Sequence, residues 1–174
     1  MLFRSSTPVQ AAFSSNAAGP WNYAAFTSGT TTFELPDSQG PATVYARFRD
    51  SLGNETASPS TISDSITLDS EPPVIANFGI GQTTRTDAYT TSRTVKIWAD
   101  VTESSTPVQA AFSSNATGPW NYEAFTSGTT TFELPNSQGP ATVYARFRDA
   151  AGNQTASPST ISDSITLDSE PPVI

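Results

Sequence analysis

Residues 141–149, Ala-Thr-Val-Tyr-Ala-Arg-Phe-Arg-Asp, alternate apolar and polar positions. Val143, Ala145 and Phe147 fall on one side, and Tyr144, Arg146 and Arg148 on the other. A period of two is the pattern of a half-buried strand. Asp149 then opens a turn ending in Gly152-Asn153, residue types that tolerate positive φ and bond their own backbone. The same pattern predicts further strands over 74–80, 93–101, 107–113, 129–134 and 161–167, with a short one over 122–125. Expected core positions on these include Phe78, Ile80, Val95, Ile97, Ala99, Val101, Val108, Ala110, Phe112, Phe132, Leu134, Ile165 and Leu167. Trp98 falls outward, beside Lys96 and Asp100. Residues 82–92 read as a polar loop or weak hairpin, and no segment carries the i, i+3, i+4 stripe of a helix. About seven short strands separated by turn signals predict a β-sandwich.

The chain repeats itself. Residues 5–75 lie over 104–174 at a shift of 99, with six differences: Ala18/Thr117, Ala24/Glu123, Asp37/Asn136, Ser51/Ala150, Leu52/Ala151 and Glu55/Gln154. A period of this size signals an array of whole domains rather than a solenoid of ~20–50-residue units. Residues 77–102, which hold the first two expected strands, occur once. The expected organisation is therefore a truncated repeat at 1–71, a complete one at 72–170 and the start of another at 171–174. That arrangement reads as a piece of a longer array. Without its first two strands the 1–71 copy loses core on the order of 10 kcal/mol, counting five side chains at ~1.5–3 kcal/mol each. Phe13, Val44 and Phe48 are then uncovered, Leu2 and Phe3 offer little cover, and marginal stability is expected there.

Thr142 to Asn153, followed by Ile165-Thr166-Leu167-Asp168 and Pro171-Pro172, resembles bacterial immunoglobulin-like repeats, which look like fibronectin type III domains. Phe112-Ser113-Ser114-Asn115 and Trp120 suit that pattern. The resemblance implies an all-β fold: an immunoglobulin-like antiparallel β-sandwich in tandem repeat. It also implies a large secreted or cell-surface protein in which such modules serve as stalk, spacer, adhesive module or accessory domain of a polysaccharide-acting enzyme. Partners implied are neighbouring repeats of the same chain and a polysaccharide or cell-surface ligand. The missing strands of the first copy depart from the pattern.

Composition narrows the chemistry. The net charge is -8 with a single lysine, so no basic stripe favours nucleic acid or anionic membranes. No run approaches the ~20 apolar residues of a membrane span. There is no His and no Cys. That removes the usual general base, every Ser-His-Asp or Cys-His set and the commonest zinc ligands. No catalytic, cofactor-binding or metal-ligating residue is assigned, and no enzyme activity is expected.

Four features could carry binding. Asp149, Gly152 and Asn153 offer hard oxygens to calcium, but one turn supplies few of the ~6–8 that the ion takes. Capping of the turn by Asp149 is the plainer reading. Asp168 and Glu170 at the Pro-Pro linker are a second calcium candidate, against plain solvated charge. Trp120 and Tyr122, with Trp21 and Tyr23, could form a sugar platform; the alternative is that Trp120 closes the end of the core. Asn54-Glu55-Thr56, Asn115-Ala116-Thr117 and Asn153-Gln154-Thr155 match the glycosylation triplet, a pattern that arises by chance in a Thr-rich chain. Acidic pairs such as Asp163 and Asp168 read as a solvated edge.

Overall fold

The computed structural model describes residues 10–27, 29–56, 62–126, 128–155 and 161–173. Among them the chain is all-β, with no helix. It divides into two compact units, Met1–Asp69 and Ser70–Ile174, a division two residues before the expected 71/72 boundary.

The second unit is sandwich-like. One sheet holds β5 (Val74–Gly81), β7 (Thr94–Thr102) and β10 (Gly128–Glu133), in the order β10-β7-β5. The other holds β6 (Tyr89–Thr90), β8 (Gln109–Ser113), β9 (Glu123–Ala124), β11 (Gly139–Arg148) and β12 (Ser162–Leu167), in the order β6-β12-β11-β8-β9. All pairings are antiparallel except β6 with β12. The alternation in the sequence sets which face is buried. Val143, Ala145 and Phe147 on β11 are fully enclosed, and so are Val95, Ile97 and Ala99 on β7. Ile80, Val95 and Ile97 meet Leu134, Val143, Ile165 and Leu167 in one cluster; Ala99, Val108, Ala110, Phe125, Ala145 and Phe147 form the other. Phe112, Phe125 and Phe147 meet edge to face, at centroid separations of 5.4 to 6.2 Å. This is a favourable quadrupole geometry for packed rings.

Residues 82–92 form a folded loop ending in β6, where neither expected form included a strand parallel to β12. The Asp87 carboxylate holds the loop. It accepts from the backbone N–H groups of Gln82, Thr83 and Thr84 at 2.6–3.0 Å, and from both threonine hydroxyls. Gly81 permits the fold-back: a Cβ there would lie 1.8 Å from the Thr84 carbonyl oxygen. Asn77, at a positive φ of 52°, sits in the irregularity where the β5–β7 register slips. Its amide donates to Asp100 at 2.9 Å.

One expectation about charge is corrected. Asp163 is not merely a solvated edge residue. It accepts the Ile80 backbone N–H at 2.9 Å, tying the end of β5 to β12 in the opposite sheet.

The first unit is one four-stranded sheet among its described residues. Its strands are β1 (Gln10–Ser14), β2 (Ala24–Ala25), β3 (Gly40–Arg49) and β4 (Ser63–Leu68), in the order β2-β1-β3-β4. Each strand matches β8, β9, β11 or β12 residue for residue at the 99-residue shift, with Ala24 for Glu123 the one change. The inner face lacks the cover seen in its twin. Ile66 is 59% exposed where Ile165 is 2% exposed, and Val44 and Phe48 are half-buried where Val143 and Phe147 are enclosed. Phe13, Phe26 and Phe48 still form the edge-to-face trio. Residues 29–34 spell the same Gly-Thr-Thr-Thr-Phe-Glu as β10 yet form no strand. β10 pairs along its length with β7, and no equivalent of β7 stands in the first sheet. Leu2 and Phe3 lie outside the described residues.

Two outcomes follow from this packing. Phe147→Ala lowers the stability of the second unit by about 3–5 kcal/mol. The matching Phe48→Ala costs the first unit clearly less, because its ring is already half exposed; residue-resolved hydrogen exchange in denaturant separates the two. The second concerns Asp87, whose hydrogen bonds hold its carboxyl well below the usual carboxylate range. A depressed folded pKa gives stability that is present above the unfolded value of about 3.9 and lost as pH falls through the folded one. Asp87→Ala therefore lowers the melting temperature at pH 7, and its difference from the parent shrinks as pH drops below about 4. A constant difference down to pH 2 would contradict this account.

Candidate functional site

On the outer face of the large sheet, β11 presents Arg146 and Arg148 opposite Ala111 and Gln109 of β8. The β8–β9 connection brings aromatic rings over them. The Arg146 guanidinium lies 4.6 Å from the Trp120 ring centroid, and that of Arg148 lies 4.2 Å from Tyr122. Arg148 Nε donates to Gln109 Oε1 at 2.7 Å, and the Tyr122 hydroxyl donates to Gln154 Oε1 at 3.0 Å. Gly118 seats the tryptophan. Its φ is +93°, and a Cβ would stand 2.7 Å from Trp120 Cδ1. The indole Nε1 and the Arg146 Nε are buried without a hydrogen-bond partner.

The first unit builds the same ladder. Arg47 lies 4.6 Å from Trp21 and Arg49 4.1 Å from Tyr23, with Arg49 Nε donating to Gln10. The copies differ at one rung. Glu55 stands where Gln154 does, and it forms an ion pair with Arg47 at 3.7 Å. Burial pushes the Tyr23 phenol pKa up and the Glu55 carboxylate adds to the rise, although the hydroxyl meets no acceptor at bonding distance. In the second unit Arg146 and Arg148 make no ion pair among the described residues.

Two expectations change here. Trp120 does not close the end of the core; it is half-buried on the outer face and belongs to neither core cluster. The expected sugar platform is narrowed, because a guanidinium covers one face of each ring and leaves only the other to a ligand. Stacked and partly desolvated, each cation–π contact is worth ~0.5–2 kcal/mol. The ladder thereby clasps the β8–β9 connection to β11. The sequence held the signal in the paired Trp-x-Tyr and Arg-x-Arg spacings, repeated in both copies.

Asp149 is buried, and its own turn occupies its carboxylate. Oδ1 accepts from Gly152 N at 2.7 Å and Asn153 N at 2.9 Å, and Oδ2 accepts from the Asn153 amide at 2.9 Å. Its carboxylate lies within 4.8 Å of that of Glu103, which accepts from the backbone of Ser104 and Ser105. Asp168 and Glu170 are exposed, and the Glu170 N–H reaches Asp168 Oδ1 at 3.4 Å. Trp98 is half-buried on β7, opposite Gly79 and Thr129. The triplet asparagines are engaged locally: Asn54 and Asn153 donate to Asp50 and Asp149, and Asn115 accepts from Thr117.

Two clefts open beside β9 in the second unit. One, of about 220 Å³, lies between β9 and β10 against Phe112, Glu123, Phe125 and Phe132. The other, of about 570 Å³, is lined by Val101, Glu103, Pro107, Val108 and Phe125. Each of these holds one carboxylate and no second titratable group; a third cleft, of about 340 Å³, is lined by Pro107, Gln109, Arg148 and Asp149, where Arg148 bonds Gln109 and Asp149 bonds its own turn. No family model matches the chain, and no curated protein sequence matches it.

Asp149→Ala leaves three donors of the turn without the buried carboxylate that accepts from them and lowers stability by about 1–3 kcal/mol. Because the turn itself fills that acceptor, EDTA is expected to leave the melting temperature of the second unit within ~5 °C, a span worth about 1 kcal/mol in a domain of this size. A larger drop would restore calcium to the Asp149 turn or the Asp168-Glu170 linker.

Proposed function

We propose that the chain is a non-catalytic structural or spacer module of a large extracellular or cell-surface bacterial protein, built of immunoglobulin-like, fibronectin type III-like repeats. The order β10-β7-β5 against β9-β8-β11-β12 supports that likeness: the pairings within these seven strands are antiparallel, with the two-residue β6 added in parallel at the β12 edge. One observation carries the spacer reading. All six differences between the copies fall on side chains that are exposed in both, so the strands, the core positions and the arginine–aromatic stacking are duplicated, and only scattered surface positions, Glu55 for Gln154 among them, vary. A spacer depends on number and length of units. Its partners are then neighbouring repeats of the same chain.

A second reading, a carbohydrate- or surface-binding accessory module of an adhesin or polysaccharide-acting enzyme, draws on Arg146 and Arg148. Their guanidinium groups lie on an outer face, stacked on the Trp120 and Tyr122 ring faces, and lack acidic partners among the described residues. Such a face suits a saccharide that carries carboxylates.

Small-angle scattering on proteins of two, four and six complete repeats tests the spacer. Ten-residue strands at ~3.3 Å per residue set the expected gain at roughly 30–40 Å of maximum dimension per repeat. A dimension that stops growing would reject a rod. Retention of the chain on an acidic polysaccharide, lost in Arg146→Ala/Arg148→Ala, would favour the second reading instead.

A further inference from the structure

We propose that Asn115 is an acceptor for an N-linked glycan, transferred to its side-chain nitrogen from a diphosphate-activated sugar. Three triplets of the chain have the acceptor pattern Asn-x-Thr, at 54–56, 115–117 and 153–155. The fold treats them differently. Asn54 Nδ2 donates to Asp50 Oδ2 and Asn153 Nδ2 to Asp149 Oδ2, each at 2.9 Å. The threonine hydroxyls of these two triplets turn to a neighbouring strand. Thr56 Oγ1 accepts the Phe48 N–H at 3.2 Å, and Thr155 Oγ1 accepts the Phe147 N–H at 3.1 Å. In both, the nitrogen that would take the sugar is bonded to a carboxylate, and Asp149 is itself buried.

Asn115 is arranged the other way round. It lies exposed in the turn after β8, with Ser114 and Thr117 exposed beside it. Its Oδ1 accepts twice, from the Thr117 N–H at 3.0 Å and from the Thr117 hydroxyl at 2.9 Å. Such an Asx-turn is closed by the triplet's own residues. The Asn115 N–H is held by Ser113 Oγ at 3.1 Å, and its carbonyl accepts from Gly118 N at 3.0 Å. The amide plane is fixed through its oxygen, and no hydrogen bond engages Nδ2 among the described residues. The first copy supplies the contrast. Asn16 repeats the turn, with Oδ1 accepting from Ala18 N at 2.9 Å, but Ala18 brings no hydroxyl. Of the six differences between the copies, Ala18/Thr117 alone creates an acceptor triplet. A glycan at this turn therefore marks one copy and not its twin. In the transfer, a bond forms between Nδ2 and the anomeric carbon, and the bond from that carbon to the phosphate oxygen breaks. The diphosphate leaves with the electron pair, and one amide proton passes to a base of the transferring enzyme.

The test uses the full folded chain, a nucleoside-diphosphate hexose and an Asn-x-Thr glycosyltransferase first shown to modify free peptides of all three triplets. Intact mass and peptide mapping read the result. Expected is a gain of one hexose per chain, at Asn115. The gain is lost in Asn115→Gln and in Thr117→Ala, and kept in Thr117→Ser. In Ala18→Thr it doubles, with Asn16 as the new site. A folded chain that stays unmodified while the free peptide of residues 111–121 is glycosylated overturns the proposal. Transfer to Asn54 or Asn153 as fast as to Asn115 overturns it equally, because the bonded amides would then be no barrier.

Discussion

A two-faced strand needs two covers, and the structure turns on how β11 obtains them. Its inner residues, Val143, Ala145 and Phe147, are enclosed by β5 and β7 from the opposite sheet. Burying side chains of this size is worth ~1.5–3 kcal/mol for each large one, the main favourable term in a cysteine-free sandwich. Its outer residues, Arg146 and Arg148, are covered by the Trp120 and Tyr122 rings. β3 carries the same residues and has only the second cover. The two units therefore separate the terms. The outer clasp, the Phe trio and the Asp turn assemble without the opposite sheet; the enclosed core does not.

The outer clasp resolves a problem that composition sets. Arginine is nearly the sole cation of this acidic chain, and four of its seven copies stack on aromatic rings. Stacking buries Trp120 Nε1 and Arg146 Nε without partners, a cost set against the packing of two planar groups. Both copies carry the same orphan atoms, Trp21 Nε1 and Arg47 Nε among them. The arrangement is therefore a property of the repeat and not of one neighbourhood.

Much of the fold was legible because a period of two is written locally. The strand positions and the enclosed faces of β7, β11 and β12 follow from alternation alone. What escaped depends on groups far apart in sequence. Asp163 reads as a surface carboxylate until β5 brings the Ile80 N–H to it across 83 residues. Trp120 reads as a core aromatic until β11 places Arg146 beneath it. β6 is two residues long and joins β12 in parallel, so alternation carries no trace of it. The function is not legible in the same way. Nothing in the residues names a ligand, and the two clefts beside β9 hold a single carboxylate each.

Residues 29–34 and 128–133 make the dependence on context plain. The six-residue sequences are identical, both rich in threonine and both followed by Leu-Pro. One is a strand because Val95, Ile97 and Ala99 lie in register beside it; the other has no strand to bond. β propensity in such a segment is a statement about fitting a pleated, half-buried surface, and the surface must be there first. The same logic applies to the face of β3. Its apolar residues match those of β11 without a change, while all six differences between the copies are exposed. A face left open to water gains nothing from Ile66 or Phe48. Their enclosed counterparts, Ile165 and Phe147, show that the same residues contribute fully only where β5 and β7 stand over them.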